Sequence, residues 1–416
     1  MSDAGAGPAT RWLDAARAPL LVALVLGLAA SISLAQITLT VLAVWVVLAR
    51  RAGRAAPLRW PLLLPVLAFV AWSLIAALGA PRPRESLLAC KGLLTLGALF
   101  VIVNALPDAA AARRFATWLL VAVTATAALA LVQVSACPDV AFTAPAVTLI
   151  GKFFRKCGRA RGLFSIYMTL AGVLAIVLTA TLPRLARLGR DLRWLGPAFV
   201  LNGVALALTY VRGAWLGFVA GALAAVAGLG RRGAVAAGAV ALLGALVLLS
   251  LPHVRDRAGT IGDPTNDTTR DRMAMLEVGL RLAAEHPWIG IGPGQLKRAY
   301  PALAPPEAMR RSTSHLHDSP LQIAAERGVI GLAAWLWIFV AFFRRARVVL
   351  ARLPADAADD RALVLGSLAA IVTFLVAGLF EYNFGDTEVL MVALAMMALP
   401  FAVAGGRVST DPCAAA

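Results

Sequence analysis

Two histidines and an aspartate lie close together in "HLHDSPLQIAAERG", directly before a long apolar run. Imidazole can gain or lose a proton near neutral pH, so His315 and His317 are candidates for a general base. In extended chain, residues two apart share a face. Asp318 or Ser319 could instead cap a helix that begins near Pro320, and both interpretations can hold together. The stretch therefore predicts an ionisable cluster at the mouth of a helix.

Arginines form a second group of candidates. Arg212 opens an apolar segment, whereas Arg270 and Arg272 precede a short amphipathic one. A guanidinium keeps its charge and can bind phosphate oxygens through two parallel hydrogen bonds. A charge at the edge of lipid is costly unless it is paired or reaches water, so Arg212 could alternatively anchor the helix end. These arginines are candidates for binding an anionic substrate.

The remaining polar residues match fewer known patterns. The two histidines have no further ligand at a known metal spacing, and no nucleotide-binding or G-x-S-x-G motif occurs, so we predict neither a metal nor a soluble cofactor. Glu381 and Asp386 are possible bases, although hydrogen bonding to the loop backbone is favoured. Cys137 and Cys157 flank one loop, where an oxidising compartment would allow a disulfide.

Composition indicates the environment of these residues. Of 416 residues, 60% are hydrophobic and 15% are charged, and the mean hydropathy is +0.80, as in integral membrane proteins. Backbone polar groups in lipid must bond internally, so the apolar runs predict an all-α protein. The net charge of +17 comes from arginines between apolar runs, which is typical of a topology signal and does not favour a nucleic-acid partner.

The apolar runs predict about twelve transmembrane helices. They lie near residues 19–33, 35–49, 61–79, 86–105, 115–134, 163–182, 195–210, 213–229, 233–250, 319–343, 362–380 and 387–404. The first two runs could alternatively be one long helix, or a signal-like segment and a span; Ser31, Ser33 and Gln36 favour a turn between two short helices. Basic short loops place the N-terminus in the cytoplasm.

This topology divides the chain into four parts. Residues 1–250 hold nine helices, 251–318 form a periplasmic loop, 319–404 hold three more helices, and 405–416 form a cytoplasmic tail. In the loop, Met275, Val278, Gly279 and Leu282 recur at helical spacing before Pro287, which predicts an amphipathic lid over the bilayer surface. Basic residues in this loop oppose the usual bias on the translocated side, which indicates that some of them have a function.

Four motifs together resemble the bacterial O-antigen ligase and polymerase family. They are "RGAWL", "RMAMLEVGLRLAAEHPWIGIG", "HLHDSPLQIAAERGVIG" and "FEYNFGDTEVL", with "RARGLFS" as a weaker element, and the resemblance covers roughly residues 160 to 404. It implies a GT-C-like glycosyltransferase in the bacterial inner membrane, with its active site facing the periplasm. Such an enzyme is implied to transfer a glycan from undecaprenyl pyrophosphate to a sugar hydroxyl of lipid A-core, without a metal ion. Direct displacement would invert the anomeric carbon.

The resemblance also assigns roles to residues. The implied catalytic residues are His317, Arg272 and Arg212. The residues implied to bind pyrophosphate are Arg161, Arg212, Arg270 and Arg272. The residues implied to support the site or face the acceptor are His315, Asp318, Gln322 and Glu381. The family pattern leads us to expect an amide at position 318, where this chain has Asp318.

Other functions remain open. An O-antigen polymerase or a protein O-oligosaccharyltransferase would share the donor, the fold and the arginines, and would differ only in the acceptor. A transporter of polyprenyl-linked glycan would also be a multi-spanning bundle that contacts membrane lipids. Transporters, however, usually carry charges at the membrane midplane and inverted repeats, whereas only Lys91 lies well inside a predicted span here and no repeat is visible.

Overall fold

The computed structural model describes residues 8–53, 56–137, 154, 157–187, 192–231, 233, 235, 238, 255, 256, 259, 267–306 and 308–405. Within these ranges every regular element is a helix and no strand occurs, so the predicted all-α class is confirmed for this part of the chain.

Fourteen α-helices are numbered here in chain order over the described residues. They are α1 Pro8–Ala30, α2 Ile32–Arg51, α3 Leu63–Leu78, α4 Pro83–Ala89, α5 Gly97–Ala105, α6 Ala109–Ser135, α7 Tyr167–Leu185, α8 Leu192–Leu208, α9 Arg212–Ala227, α10 Asp267–Glu285, α11 Leu296–Leu303, α12 Ser319–Arg352, α13 Ala358–Ala377 and α14 Thr387–Gly405. A 3-10 segment, Cys90–Leu96, joins α4 to α5.

Among the described residues, eight stretches are long and apolar enough to cross a membrane. They are Trp12–Ala30, Ile32–Arg51, Pro83–Ala105, Ala109–Ser135, Tyr167–Leu185, Ser319–Arg352, Ala358–Ala377 and Thr387–Gly405. Helices α3, α8 and α9 are apolar but shorter. The chain is therefore a multi-pass membrane protein. The predicted span at 233–250 lies almost entirely outside the described residues, and the total of twelve stays a prediction.

The first two spans form a helical hairpin. Ser31 ends α1 and caps α2, since Leu34 N donates to Ser31 Oγ at 3.4 Å. Gly27 packs against the backbone of Ala35, and Trp45 Nε1 donates to Leu13 O at 2.8 Å, so α2 folds back along α1. The prediction of two helices separated by a turn is confirmed, but the helices have 23 and 20 residues and are longer than predicted.

Small residues pack α9 against α13. A Cβ added at Gly217 would lie 2.8 Å from Thr373 O, and one added at Gly213 would lie 2.5 Å from the side chain of Phe380. Glycines spaced four apart let two membrane helices approach closely. Because of this packing, α9 begins beside the turn that follows α13, and Arg212 is its first residue.

Helix α10 packs against the protein through its apolar face. It ends at Glu285, just before Pro287 as predicted, and the predicted apolar face is buried. A Cβ at Gly279 would meet Leu321 at 2.5 Å and Leu316 at 2.7 Å. The long loop therefore docks on the N-terminal part of α12 and on the residues that precede it.

A break in α12 holds the segment that follows α10. Gly328 has φ 69° and ψ −175°, a conformation that other residues rarely adopt. Ile291 N donates to Ala325 O at 3.0 Å, and Val329 N donates to Pro287 O at 2.8 Å. These bonds satisfy backbone groups that the break removes from the helix. A Cβ at Gly328 would lie 2.0 Å from Trp288 O, so only glycine fits this junction.

One disulfide joins the end of α6 to the segment before α7. Cys137 and Cys157, the pair that the sequence suggested, are bonded, with their Cα atoms 5.5 Å apart. Most of the residues between them lie outside the described ranges. Cys90 is buried and unpaired.

Candidate functional site

Glu381, in the turn between α13 and α14, joins an arginine to a histidine. Arg272 Nη2 donates to Glu381 Oε1 at 2.6 Å, and His317 Nδ1 lies 2.8 Å from Glu381 Oε2. The side chains of His317 and Glu381 are only 9% and 10% exposed. A charge this far from water must be paired, and the guanidinium of Arg272 pairs it. We call these three residues the Glu381 cluster.

The bond to Glu381 sets the proton position on His317. A carboxylate can only accept hydrogen bonds, so Nδ1 of the neutral ring carries the hydrogen and Nε2 keeps its lone pair. This is the tautomer that a general base requires. The backbone of His317 has φ 53°, which is uncommon for residues other than glycine, and such conformations are concentrated at functional sites.

The N-terminus of α12 holds His317 in this conformation. Asp318 caps the helix by accepting from Leu321 N at 2.7 Å, and Leu316 N donates to Gln322 Oε1 at 2.8 Å. The predicted cap at Asp318 is therefore confirmed. An asparagine oxygen could cap in the same way, which explains how an aspartate can replace the expected amide. Burial raises the pKa of Asp318.

The same helix end is docked on the turn that carries Glu381. Ser319 N donates to Gly378 O at 2.7 Å, and Ser319 Oγ donates to Glu381 O at 3.0 Å. His317 and Glu381 are thus held together through the neighbouring residue Ser319 as well as through their own side chains.

His315 packs edge-on against His317, with ring centroids 4.3 Å apart. Burial, and then the nearby His317, lower the pKa of His315 to about 4, so its ring is neutral at pH 7. The ring centroid of Tyr382 lies 6.1 Å from that of His315. Burial raises the pKa of Tyr382 to about 12, which keeps its hydroxyl protonated. His315 therefore packs against the ring of His317 without adding a charge.

A buried polar chain behind the site connects three segments. Glu326 Oε1 accepts from Gln322 Nε2 at 2.8 Å and from Gly294 N at 2.9 Å. Arg327 Nη1 donates to Glu326 Oε2 at 3.0 Å, and its Nε donates to Ser73 Oγ at 3.0 Å. The chain ties the long loop and α3 to the part of α12 that positions His317. Our sequence reasoning gave Arg327 no role, although a charged pair inside an apolar helix was a visible signal.

The candidate arginines lie on different elements. Arg272 lies on α10, whose start is fixed because Arg310 N donates to Asp271 Oδ1 at 3.0 Å. Arg270 is exposed, and Arg161 is partly buried. Ala160 N donates to Leu208 O at 2.9 Å, so Arg161 lies next to the end of α8. Leu208, the last residue of α8, precedes Arg212 by only one short turn. The pyrophosphate roles of Arg161, Arg212 and Arg270 stay predictions.

The carboxylates of Glu381 and Asp386 have different hydrogen-bond partners. Asp386 accepts from Thr169 Oγ1 at 2.6 Å and caps α14 by accepting from Val389 N at 3.2 Å, in agreement with the favoured backbone role. Burial raises its pKa. For Glu381 the expectation of backbone hydrogen bonding was wrong, because its carboxylate oxygens contact Arg272 and His317. Sequence spacing could not show this, since all three partners are distant along the chain.

Two of the three residues of the Glu381 cluster lie within a known domain. Residues 197–336 match the family model described as O-antigen ligase. The chain carries an O-antigen ligase family domain. This confirms the resemblance seen in the motifs, and the ligase domain contains Arg212, Arg272 and His317. No curated protein matches the chain.

The ligase family supports an enzyme of the glycosyltransferase type. Glu381 follows the matched range, yet it completes the cluster that two residues of the ligase domain begin. In the part of the chain that the structure describes, no group of three or more His, Cys, Asp or Glu residues is arranged to hold a metal ion.

Proposed function

We propose that this protein is an O-antigen ligase. It would transfer a polysaccharide from undecaprenyl pyrophosphate to a sugar hydroxyl of lipid A-core, at the periplasmic face of the inner membrane. The observation that carries the proposal is the double contact of Glu381, which sets an oriented imidazole beside a guanidinium. A base and a fixed positive charge are the two groups that glycosyl transfer from a pyrophosphate needs.

In the proposed reaction, His317 activates the acceptor. Its Nε2 takes the proton from the acceptor hydroxyl while that oxygen forms a bond to the anomeric carbon of the donor. Glu381 accepts from Nδ1–H throughout, so it stabilises the imidazolium that forms. The proton then leaves Nε2 for solvent, and the base is restored.

Arginines would stabilise the leaving group. The bond between the anomeric carbon and the pyrophosphate oxygen breaks, and undecaprenyl pyrophosphate departs with the electron pair. Arg272 uses one of its five N–H groups for Glu381, so others remain to bind phosphate oxygens. Arg212, Arg161 and Arg270 would add further positive charge. In this scheme arginine supplies the charge that a divalent ion provides elsewhere, and direct displacement inverts the anomeric carbon.

The charge of α12 supports the proposed orientation. His317 lies at its N-terminal end, whereas the exposed Arg344, Arg345 and Arg347 lie near its C-terminal end. Basic residues at helix ends favour the cytoplasmic side. The site would then face the periplasm, where lipid A-core and the lipid-linked donor meet.

The acceptor distinguishes an O-antigen ligase from an O-antigen polymerase and from a protein O-oligosaccharyltransferase. Purified protein in liposomes, with no nucleotide or ion gradient, is given the glycan donor together with lipid A-core, a second donor glycan or a protein acceptor. We expect a covalent product on lipid A-core. A product only on the second glycan would identify a polymerase, a product only on protein would identify an oligosaccharyltransferase, and glycan movement without a covalent product would identify a transporter.

A further inference from the structure

A basic cavity lies at the opposite end of the bundle from the Glu381 cluster. It has a volume of about 310 Å³, lies between α6, α7 and α13, and is lined by Arg113, Arg114, Arg184 and Asp359 among others. Helix α13 begins next to this cavity and ends just before Glu381, and its 20 residues span about 30 Å. The cavity is therefore separate from the proposed catalytic site.

Contacts with neighbouring side chains position the charges around the cavity. Arg113 forms an ion pair with Asp360, and Arg187 forms one with Asp359. Arg184 Nη1 donates to Thr117 Oγ1 at 3.1 Å. With Arg114, four arginines face two aspartates, which leaves a net charge of 4 − 2 = +2 in this region. Such an excess favours an anionic ligand.

The surroundings of the cavity indicate that this anion belongs to a lipid. The guanidinium of Arg184 lies 5.9 Å from the ring of Trp194, near the start of α8, and Trp118 of α6 lines the cavity. Tryptophan is enriched at the membrane interface. Arg184 and Leu363 also line a narrow cleft that continues among Leu119, Val177 and other apolar residues inside the bundle. A basic mouth beside apolar surface fits a ligand with a charged head and an apolar body.

We propose that this cavity binds the phosphate headgroup of an anionic phospholipid. Guanidinium groups bind phosphate oxygens through paired hydrogen bonds, and basic pockets between transmembrane helices are suited to such headgroups. In the proposed orientation the lipid belongs to the cytoplasmic leaflet. It links α6 and α7 to α13, the helix that leads to Glu381, and so stabilises the bundle from the side away from catalysis.

The test uses the full-length protein in neutral detergent. Thermal unfolding and native mass spectrometry are measured while phosphatidylglycerol, phosphatidylethanolamine or inorganic pyrophosphate is added. We expect saturable binding of phosphatidylglycerol with a rise in unfolding temperature. Arg114→Gln and Arg184→Gln should each weaken it by about 10-fold or more, because each removes a charge-assisted contact. Arg345→Gln is the matched control, since it removes an exposed charge near the end of α12 without touching the cavity, and it should bind like the wild type.

Several outcomes would overturn the proposal. Equal affinity of wild type and Arg114→Gln for phosphatidylglycerol would do so, and so would equal binding of phosphatidylethanolamine. A response to pyrophosphate that Arg114→Gln abolishes would assign the cavity to a soluble phosphate instead of a lipid, because pyrophosphate bound near the Glu381 cluster does not depend on Arg114. If Arg184→Gln does not fold, Arg184→Lys keeps the charge and should retain part of the binding. No glycan transfer is measured, so the result is independent of the proposed reaction.

Discussion

Replacing Glu381 by glutamine should disable the proposed base while leaving the shape of the site almost unchanged. Arg272 and His317 Nδ1–H both donate to Glu381, and each needs an acceptor. Glutamine offers one acceptor oxygen and one NH₂ group, so one contact must place a donor against a donor. If the NH₂ group faces His317, the ring proton moves to Nε2 and the base is lost.

The structure allows the size of this effect to be worked out. A hydrogen bond to a charged group contributes about 1.5–3 kcal/mol, and 1.36 kcal/mol corresponds to a tenfold change. The side chains of His317 and Glu381 are at most 10% exposed, so solvent screens little of this energy. Losing one contact should therefore lower kcat by about 10- to 150-fold. The loss of kcat in Glu381→Gln cannot exceed the loss in His317→Ala, roughly 10²-fold or more, because Glu381 acts through His317.

The assay measures initial rates of glycan transfer at saturating donor, with thermal unfolding as the check on folding. Glu381→Asp keeps the charge but shortens the side chain, so it should retain more activity than Glu381→Gln. Glu285→Gln is the matched control. Glu285 also pairs with an arginine, Arg281, at 2.8 Å, but on an exposed face of α10, and its loss should change kcat by less than about twofold.

A double variant separates a positioning role from an independent one. If Glu381 acts through His317, then His317→Ala with Glu381→Gln should be little slower than His317→Ala alone. Wild-type activity in folded Glu381→Gln, or fully additive losses in the double variant, would refute the reasoning.

Three further predictions concern stability. Because burial lowers the pKa of His315 to about 4, the unfolded chain binds more protons between that value and the ordinary 6.5, so stability in detergent should fall with decreasing pH across this window, by at most about 3 kcal/mol; His315→Gln should remove this dependence. Gly328→Ala should destabilise the protein by about 2 kcal/mol or more and so lower its unfolding temperature. Gly203→Ala should leave the unfolding temperature almost unchanged, because a Cβ at this position meets no atom within 4 Å. Cys137 and Cys157 should react with a thiol reagent in denatured protein only after reduction, and two free thiols in unreduced protein would contradict the bond.

Helix faces, helix ends and helix caps could be predicted from the sequence, because each depends on residues that are close together in the chain. The apolar face of α10 and its end before Pro287 followed from helical periodicity and from the missing N–H of proline. The turn at Ser31 followed from polar residues that interrupt an apolar run. The cap at Asp318 followed from side chains that satisfy the first N–H groups of a helix. The motif resemblance located the ligase domain, which the family model confirms.

Contacts between distant segments could not be read in the same way. Glu381 is 109 residues from Arg272 and 64 from His317, and nothing in the intervening sequence specifies that they meet. Helix α12 was predicted to end at residue 343 and extends to Arg352, and its break at Gly328 depends on the backbone of Trp288. Such features arise from packing, which periodicity does not describe.

The central claim is that the Glu381 cluster catalyses metal-independent transfer of a glycan to lipid A-core. The most direct test compares wild type, His317→Ala, Arg272→Ala and Arg272→Lys in liposomes with undecaprenyl pyrophosphate-glycan and lipid A-core, with and without EDTA. The account predicts that wild type transfers equally well with EDTA. His317→Ala should bind donor normally but turn over roughly 10² times more slowly or worse, and Arg272→Ala should lose donor binding, with little rescue by lysine. Near-normal transfer by His317→Ala, or loss of wild-type activity in EDTA, would contradict it.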